Sequence, residues 1–124
     1  PTVLPGASFF LGMPYGNGKG LMEAGLPVAL ASDYNPGSSP SGDMRFVCSL
    51  GCIKMKLTPS AALNAATING ACAMELSQRV GIARGKLANF YVTAPLPSLA
   101  YFLYAYATPL IRTVWLKGRE MTLS

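Results

Sequence analysis

The residues best placed to do chemistry lie in one run, Asp33-Tyr34-Asn35-Pro36-Gly37-Ser38-Ser39-Pro40, directly after the apolar stretch Pro27-Val28-Ala29-Leu30-Ala31-Ser32. Small and branched apolar residues without interruption are the pattern of a parallel strand covered on both faces. Loops at the carboxyl ends of such strands are where α/β proteins bind ligands. A carboxylate at that junction is the strongest chemical feature of the chain. The same residue types also build Asx-turns and helix caps, so local chemistry leaves both roles open for Asp33. Asp43 and Glu23 do not follow a strand and read as solvated surface charges.

Elsewhere the sequence offers less. It contains no His, which removes the commonest general base, the commonest catalytic metal ligand and the Ser-His and Cys-His nucleophile pairs. Cys48 and Cys52 would share one helix face, but no further Cys pair or His completes a zinc site around them, so with Cys72 they read as buried free thiols. An odd, unpatterned set of cysteines argues against a secreted disulfide scaffold and for a reducing, cytoplasmic setting. Gly16-Asn17-Gly18-Lys19-Gly20 lacks the spacing of a phosphate-binding loop, with Met13 where a Gly is required and no Ser or Thr after Lys19, and reads as a flexible connection.

Composition narrows the class. With 51% hydrophobic and 12% charged residues among 124, the chain is far from the composition of disorder and has the length of about one domain. Ten basic residues against five acidic ones give a net charge of +5. The basic residues are spread almost singly, which argues against a nucleic-acid surface. No stretch reaches the roughly 18 uninterrupted apolar residues of a membrane span. Leu96 to Leu110 is interrupted by Pro97 and suits a buried or interfacial segment, with Tyr101, Phe102, Tyr104 and Tyr106 filling a core or contact surface.

The elements that must position Asp33 follow from periodicity. Thr2 to Leu11 reads as a buried strand or strand-to-loop segment around Pro5-Gly6. A short helix from Lys19 or Gly20 to Ala24 would stop at Gly25 and lead into the strand before Asp33. Residues 42–57 carry apolar residues at helical spacing, and Thr58-Pro59 restarts a second helix reaching about Leu76. Small residues line that helix, and Asn64, Thr67 and Asn69 are expected to face solvent. Beyond Arg79 the period becomes strand-like. Gly81 to Val92 reads as strand, turn and strand, and Ile111 to Leu116 as a strand entering a tight turn at Lys117-Gly118. Two parallel-type strands are too few to cover a sheet on both faces, so the first half reads as the end of a larger α/β domain that would expose apolar surface and self-associate. The opening Pro1-Thr2-Val3-Leu4-Pro5 reads as that of a processed chain or a piece of a longer one.

At this point the sequence resembles a known family, the carboxyl-terminal part of imidazolonepropionase in the metal-dependent amidohydrolase superfamily. The likeness rests on Leu4-Pro5-Gly6-Ala7 with Phe9-Phe10, on Pro27 through Pro40, on Leu57-Thr58-Pro59 with Ala61-Ala62 and Ala65-Ala66-Thr67, and on Gly85-Lys86-Leu87-Ala88-Asn89. The Asp-x-Asn-Pro-Gly-Ser-Ser-Pro loop is its specific part. It implies an α/β fold in which residues 1–78 are the last two β/α units of a (β/α)8 TIM barrel and residues 79–124 a β-rich tail belonging to a composite β-sandwich. It also implies hydrolysis of 4-imidazolone-5-propanoate to N-formimidoyl-L-glutamate in histidine degradation, with one divalent metal ion, zinc or iron, in the intact enzyme. By the same likeness Asp33 is the metal-binding and catalytic carboxylate that shuttles the proton of the attacking water, and Asn35, Gly37 and Ser38 bind substrate through amide, backbone and hydroxyl.

The family's His residues and substrate-gripping Arg and Tyr have no counterparts here, so the resemblance implies a fragment inactive and metal-free by itself, with the remainder of its own chain as its partner and a homo-oligomer as its assembly. Asn89 stands where the family usually has Asp, and Ser60-Ala61 replaces an acidic pair. Two other readings share these features: a different cyclic-amide hydrolase or deaminase of the superfamily, and a non-enzymatic self-associating module.

Overall fold

The computed structural model describes residues 1–122. Its first layer is a two-stranded parallel pair, β1 (Thr2–Val3) and β2 (Ala29–Leu30), with Thr2 opposite Ala29 and Val3 opposite Leu30. Parallel strands need a crossover, and here it contains α1 (Pro5–Leu11) and α2 (Gly18–Glu23). The strand expected over Thr2 to Leu11 therefore ends at Val3. Pro5, read as a strand breaker, instead occupies the first turn of α1, where its fixed φ and missing N–H cost nothing, and Gly12 closes the helix at φ 64°.

The glycine-rich segment is also not the flexible connection its composition suggests. Gly18 is buried, and a Cβ there would meet Met55 Cε at 3.1 Å and Leu57 Cδ2 at 3.3 Å. Its lack of a side chain lets α2 lie directly on the hydrophobic core. Asn17 caps that helix by accepting from the Gly20 N–H at 2.9 Å, and Gly25 follows it at φ 76° as expected. The strand before Asp33 is shorter than the apolar run that announces it, but Val28, Ala29 and Leu30 are almost fully buried.

After the Asp33 loop comes α3 (Met44–Met55), then α4 (Pro59–Ala66) and α5 (Ile68–Ala73). Asp43 is exposed as expected, and its carboxylate also caps α3 by accepting from the N–H groups of Arg45 and Phe46. Thr58 caps α4 through the Ala61 N–H with Pro59 in the first turn, as the sequence predicts. The single helix expected to Leu76 is broken at Thr67, whose hydroxyl bonds back to Leu63 O at 2.6 Å and competes with the helical ladder. Asn69 does not face solvent alone, since its Nδ2 donates to Val28 O at 2.8 Å and ties α5 to the strand leading to Asp33.

The tail forms an antiparallel sheet in the order β3 (Phe90–Thr93), β4 (Ile111–Leu116) and β5 (Arg119–Met121). Lys117 and Gly118, both at positive φ, make the tight turn the sequence announces. The first strand expected between Gly81 and Val92 reduces to an isolated bridge between Val80 and Leu87, with Ile82 left 91% exposed. Between β3 and β4 the chain detours through α6 (Leu99–Tyr104). Phe102, Leu103 and Leu110 enter the same buried cluster as Leu30, Val47, Cys48, Met55 and Ala62, so one core spans residues on both sides of position 78.

Candidate functional site

Asp33 follows the end of β2 at Leu30 by three residues, is exposed and has φ 49°. A left-handed backbone is uncommon outside glycine but tolerated by Asp. It turns the chain sharply at the strand end. The loop then closes on itself: the Asn35 N–H donates to Ser39 O at 2.9 Å, and the Ser39 N–H donates back to Asn35 O at 3.3 Å.

The Asn35 side chain fills the middle of this turn. Its Oδ1 accepts from the N–H groups of Gly37 and Ser38, both at 2.9 Å. Its Nδ2 donates to Asp33 O at 2.6 Å and to Ser38 Oγ at 2.9 Å. The Ser38 hydroxyl keeps its own proton for Asp33 Oδ2 at 3.5 Å or Asn35 Oδ1 at 3.2 Å. The four residues singled out in the sequence, Asp33, Asn35, Gly37 and Ser38, thus come together in one hydrogen-bonded loop.

Sequence reasoning did not single out the residues that anchor this loop. Ser39 is buried and donates to Ser32 O at 2.6 Å, pinning the far end of the loop to the strand end. Gly6 lies against it, and a Cβ at position 6 would stand 2.9 Å from Ser39 Oγ. Arg45, near the start of α3, donates to Phe102 O, Ala105 O and, at 2.7 Å, to Thr108 O, with its guanidinium 4.5 Å from the Phe102 ring centre. These carbonyls belong to the end of α6 and the turn beyond it, where helical partners run out and a cation is favoured. Ser49, one turn along α3, donates to Leu103 O. An Arg and a Ser four apart on an otherwise apolar helix face are the signal that could have revealed this seam.

The remaining candidates fall away on chemistry. Burial, with Cys52 and then Asp43 nearby, pushes the Cys48 thiol up to about 12 from an ordinary 9.0, and burial also raises Cys52. Both stay protonated and un-nucleophilic at neutral pH. Cys72, expected to be buried, is exposed. An apolar recess of about 80 Å³ between α1 and α3 is lined in part by Phe9, Phe10, Phe46 and Ser39 and has no charged lining residue.

Among the described residues no three His, Cys, Asp or Glu side chains gather into a metal-binding group. Asp33 is a single carboxylate, and a catalytic metal needs about three protein ligands. The donor set on this chain does not by itself fit such an ion.

A carboxylate at the carboxyl end of a parallel strand, on a loop tied to that strand, stands where α/β proteins place ligand-binding groups. Residues 17–121 match the amidohydrolase family model; the chain belongs to the amidohydrolase family. It is 52% identical over 120 residues to the imidazolonepropionase of Christiangramia forsetii and 51% identical over 120 residues to that of Flavobacterium johnsoniae. In both cases the match covers 96% of this chain and 29% of the relative. The imidazolonepropionase of Caldanaerobacter subterraneus is 42% identical over 114 residues, covering 91% of this chain and 27% of the relative. The chain therefore spans less than a third of the length of these relatives. Among solved structures, E. coli guanine deaminase superposes with a TM-score of 0.76 at 21% identity, over 96% of this chain and 32% of the deaminase. That likeness is one of fold.

Proposed function

We propose that this chain is the carboxyl-terminal part of an imidazolonepropionase and supplies the proton-carrying carboxylate of its site. The observation that carries the reading is the placement of Asp33 at the end of a buried parallel strand, on a loop tied to that strand, in a chain about half identical to enzymes of that name. The substrate would be 4-imidazolone-5-propanoate and the product N-formimidoyl-L-glutamate. Water oxygen bonds to the ring carbonyl carbon, the carbon–nitrogen bond breaks, and Asp33 takes the proton of the attacking water and returns it to the departing nitrogen. Gly37, Ser38 and Asn35 form the substrate-facing loop beside it.

Residues 1–78 would complete a (β/α)8 barrel as its last two units, and residues 79–124 would join a β-sandwich. The remainder of the same protein is the partner this requires, and the enzyme would act in the cytoplasm as a homo-oligomer. Amidohydrolases are typically metal-dependent, and a zinc or iron site would draw its other ligands from beyond these residues. Asp33→Ala in the intact protein is expected to abolish hydrolysis of 4-imidazolone-5-propanoate, followed by appearance of N-formimidoyl-L-glutamate. Near-normal turnover would sink the assignment.

A further inference from the structure

We infer that Ser39 is a positioning residue: buried behind the loop, it clamps the chain on both sides of Asp33 and so fixes where the Asp33 carboxylate stands. The inference rests on the proposal that Asp33 carries the proton, and it leaves Asn35, Gly37 and Ser38 as the residues of the loop that meet substrate. Ser39 is only 3% exposed, and its side chain bonds inward.

Three hydrogen bonds make the clamp. Ser39 Oγ donates to Ser32 O at 2.6 Å, and that carbonyl belongs to the peptide joining Ser32 to Asp33. The Asn35 N–H donates to Ser39 O at 2.9 Å, and the Ser39 N–H donates to Asn35 O at 3.3 Å. The first bond holds the chain just before Asp33, and the other two hold it two residues later. Asp33 lies between these anchors at φ 49°, a left-handed conformation uncommon outside glycine. With the peptide ahead of Asp33 fixed in place, that φ sets the direction in which its side chain leaves the backbone. Gly6 is the wall of the clamp. A Cβ there would stand 2.9 Å from Ser39 Oγ and 3.6 Å from Ser32 O, against both atoms of the bond that precedes Asp33.

In the intact protein, Ser39→Ala keeps the backbone bonds to Asn35 and removes the hold on the Ser32 carbonyl. It is expected to lower kcat on 4-imidazolone-5-propanoate about tenfold with KM changed less than about threefold, because alignment of the reacting group is lost while the substrate contacts remain. Unchanged kcat with a lower unfolding midpoint would reduce Ser39 to a structural residue and overturn the inference. A KM raised about tenfold with kcat unchanged would overturn it as well. Gly6→Ala is expected to lower kcat by a similar factor, by pushing Ser39 Oγ off Ser32 O. Once the hydroxyl is gone the added methyl meets Ser32 O at 3.6 Å, an ordinary contact. The double variant Gly6→Ala/Ser39→Ala is therefore expected within about twofold of Ser39→Ala alone. Losses that multiply to about a hundredfold would mean that the two positions act separately and that the clamp does not exist.

Failure of the underlying assignment looks different: Asp33→Ala would then retain activity, or the intact protein would leave this substrate untouched. In that case amide hydrogen exchange at Asn35 and Ser39 decides for the clamp. Exchange about fivefold faster in Ser39→Ala supports it, and unchanged exchange overturns it.

Discussion

Two polar clusters, the Asp33–Ser39 loop and the seam where Arg45 meets α6, hold their shapes by opposite means. In the loop each side-chain hydrogen bond joins residues no more than seven apart in sequence. At the seam Arg45 and Ser49 reach carbonyls 54 to 63 residues away. The loop bonds are formed by chain that is already local, so they decide the direction of a few side chains. The seam bonds exist only when the tail has docked, so they decide whether two halves of the chain stay together. On the proposed function, chemistry and cohesion fall to different side chains that lie close together along the chain.

Breaking the seam should have the largest effect on stability. Arg45→Ala removes a partly buried cation and leaves the carbonyls of Phe102, Ala105 and Thr108 to find other partners, with an expected loss of about 3 kcal/mol in the urea unfolding of the intact protein. Lys should rescue little, since its single nitrogen cannot replace the planar fork by which Arg45 reaches its carbonyls through Nε, Nη1 and Nη2. A loss within about 0.5 kcal/mol would mean the apolar contacts of Phe102 and Leu103 hold the tail unaided.

The buried thiol on the same helix gives a second, smaller effect. The Cys48 thiol of the unfolded chain ionises around 9.0 while the folded one stays protonated to about 12. Its contribution is therefore complete below pH 9 and is lost as pH rises from 9 towards 12. At pH 10 this amounts to about 1 kcal/mol relative to neutral pH. Unfolding curves at pH 8, 9 and 10 should show that decline, and Cys48→Ala should flatten most of it, leaving the part due to Cys52. An equally steep decline in the variant would assign it to other groups.

The smallest stability change is expected in the loop. Asn35→Ala should cost about 0.5 kcal/mol, because the freed N–H of the exposed Gly37 can turn to water. Its effect should appear in turnover instead. Equal stability losses at positions 35 and 45 would erase the contrast between the two clusters.

The same division between local and distant bonding explains how much could be read from the sequence. Thr58-Pro59, Gly25 and Lys117-Gly118 were legible because a cap or tight turn is encoded by two or three adjacent residues. The position of Asp33 after a buried strand was legible for the same reason. The helix at Pro5–Leu11 was not, because Val3-Leu4 and Phe9-Phe10-Leu11 form an apolar pattern that a strand and a half-buried helix share, and Pro suits the start of either. Asn69, Arg45 and Ser49 bond to residues more than forty positions away, and no local pattern records such a partner. Within the site, the residue types could be read, but the inward bonding of Asn35 needs the closed turn.

The contact between Gly6 and Ser39 gives the loop a second author. Position 6 admits nothing larger than a hydrogen atom without displacing the hydroxyl that fixes the end of the loop. A change there would be transmitted through Ser39 to the segment that carries Asp33, although position 6 lies at the start of the crossover and Asp33 beyond its end. If Asp33 carries the proton as proposed, drift at Gly6 would register as a fault in the chemistry while leaving every residue of the reacting group in place, the kind of inheritance constraint that a catalogue of catalytic side chains would overlook.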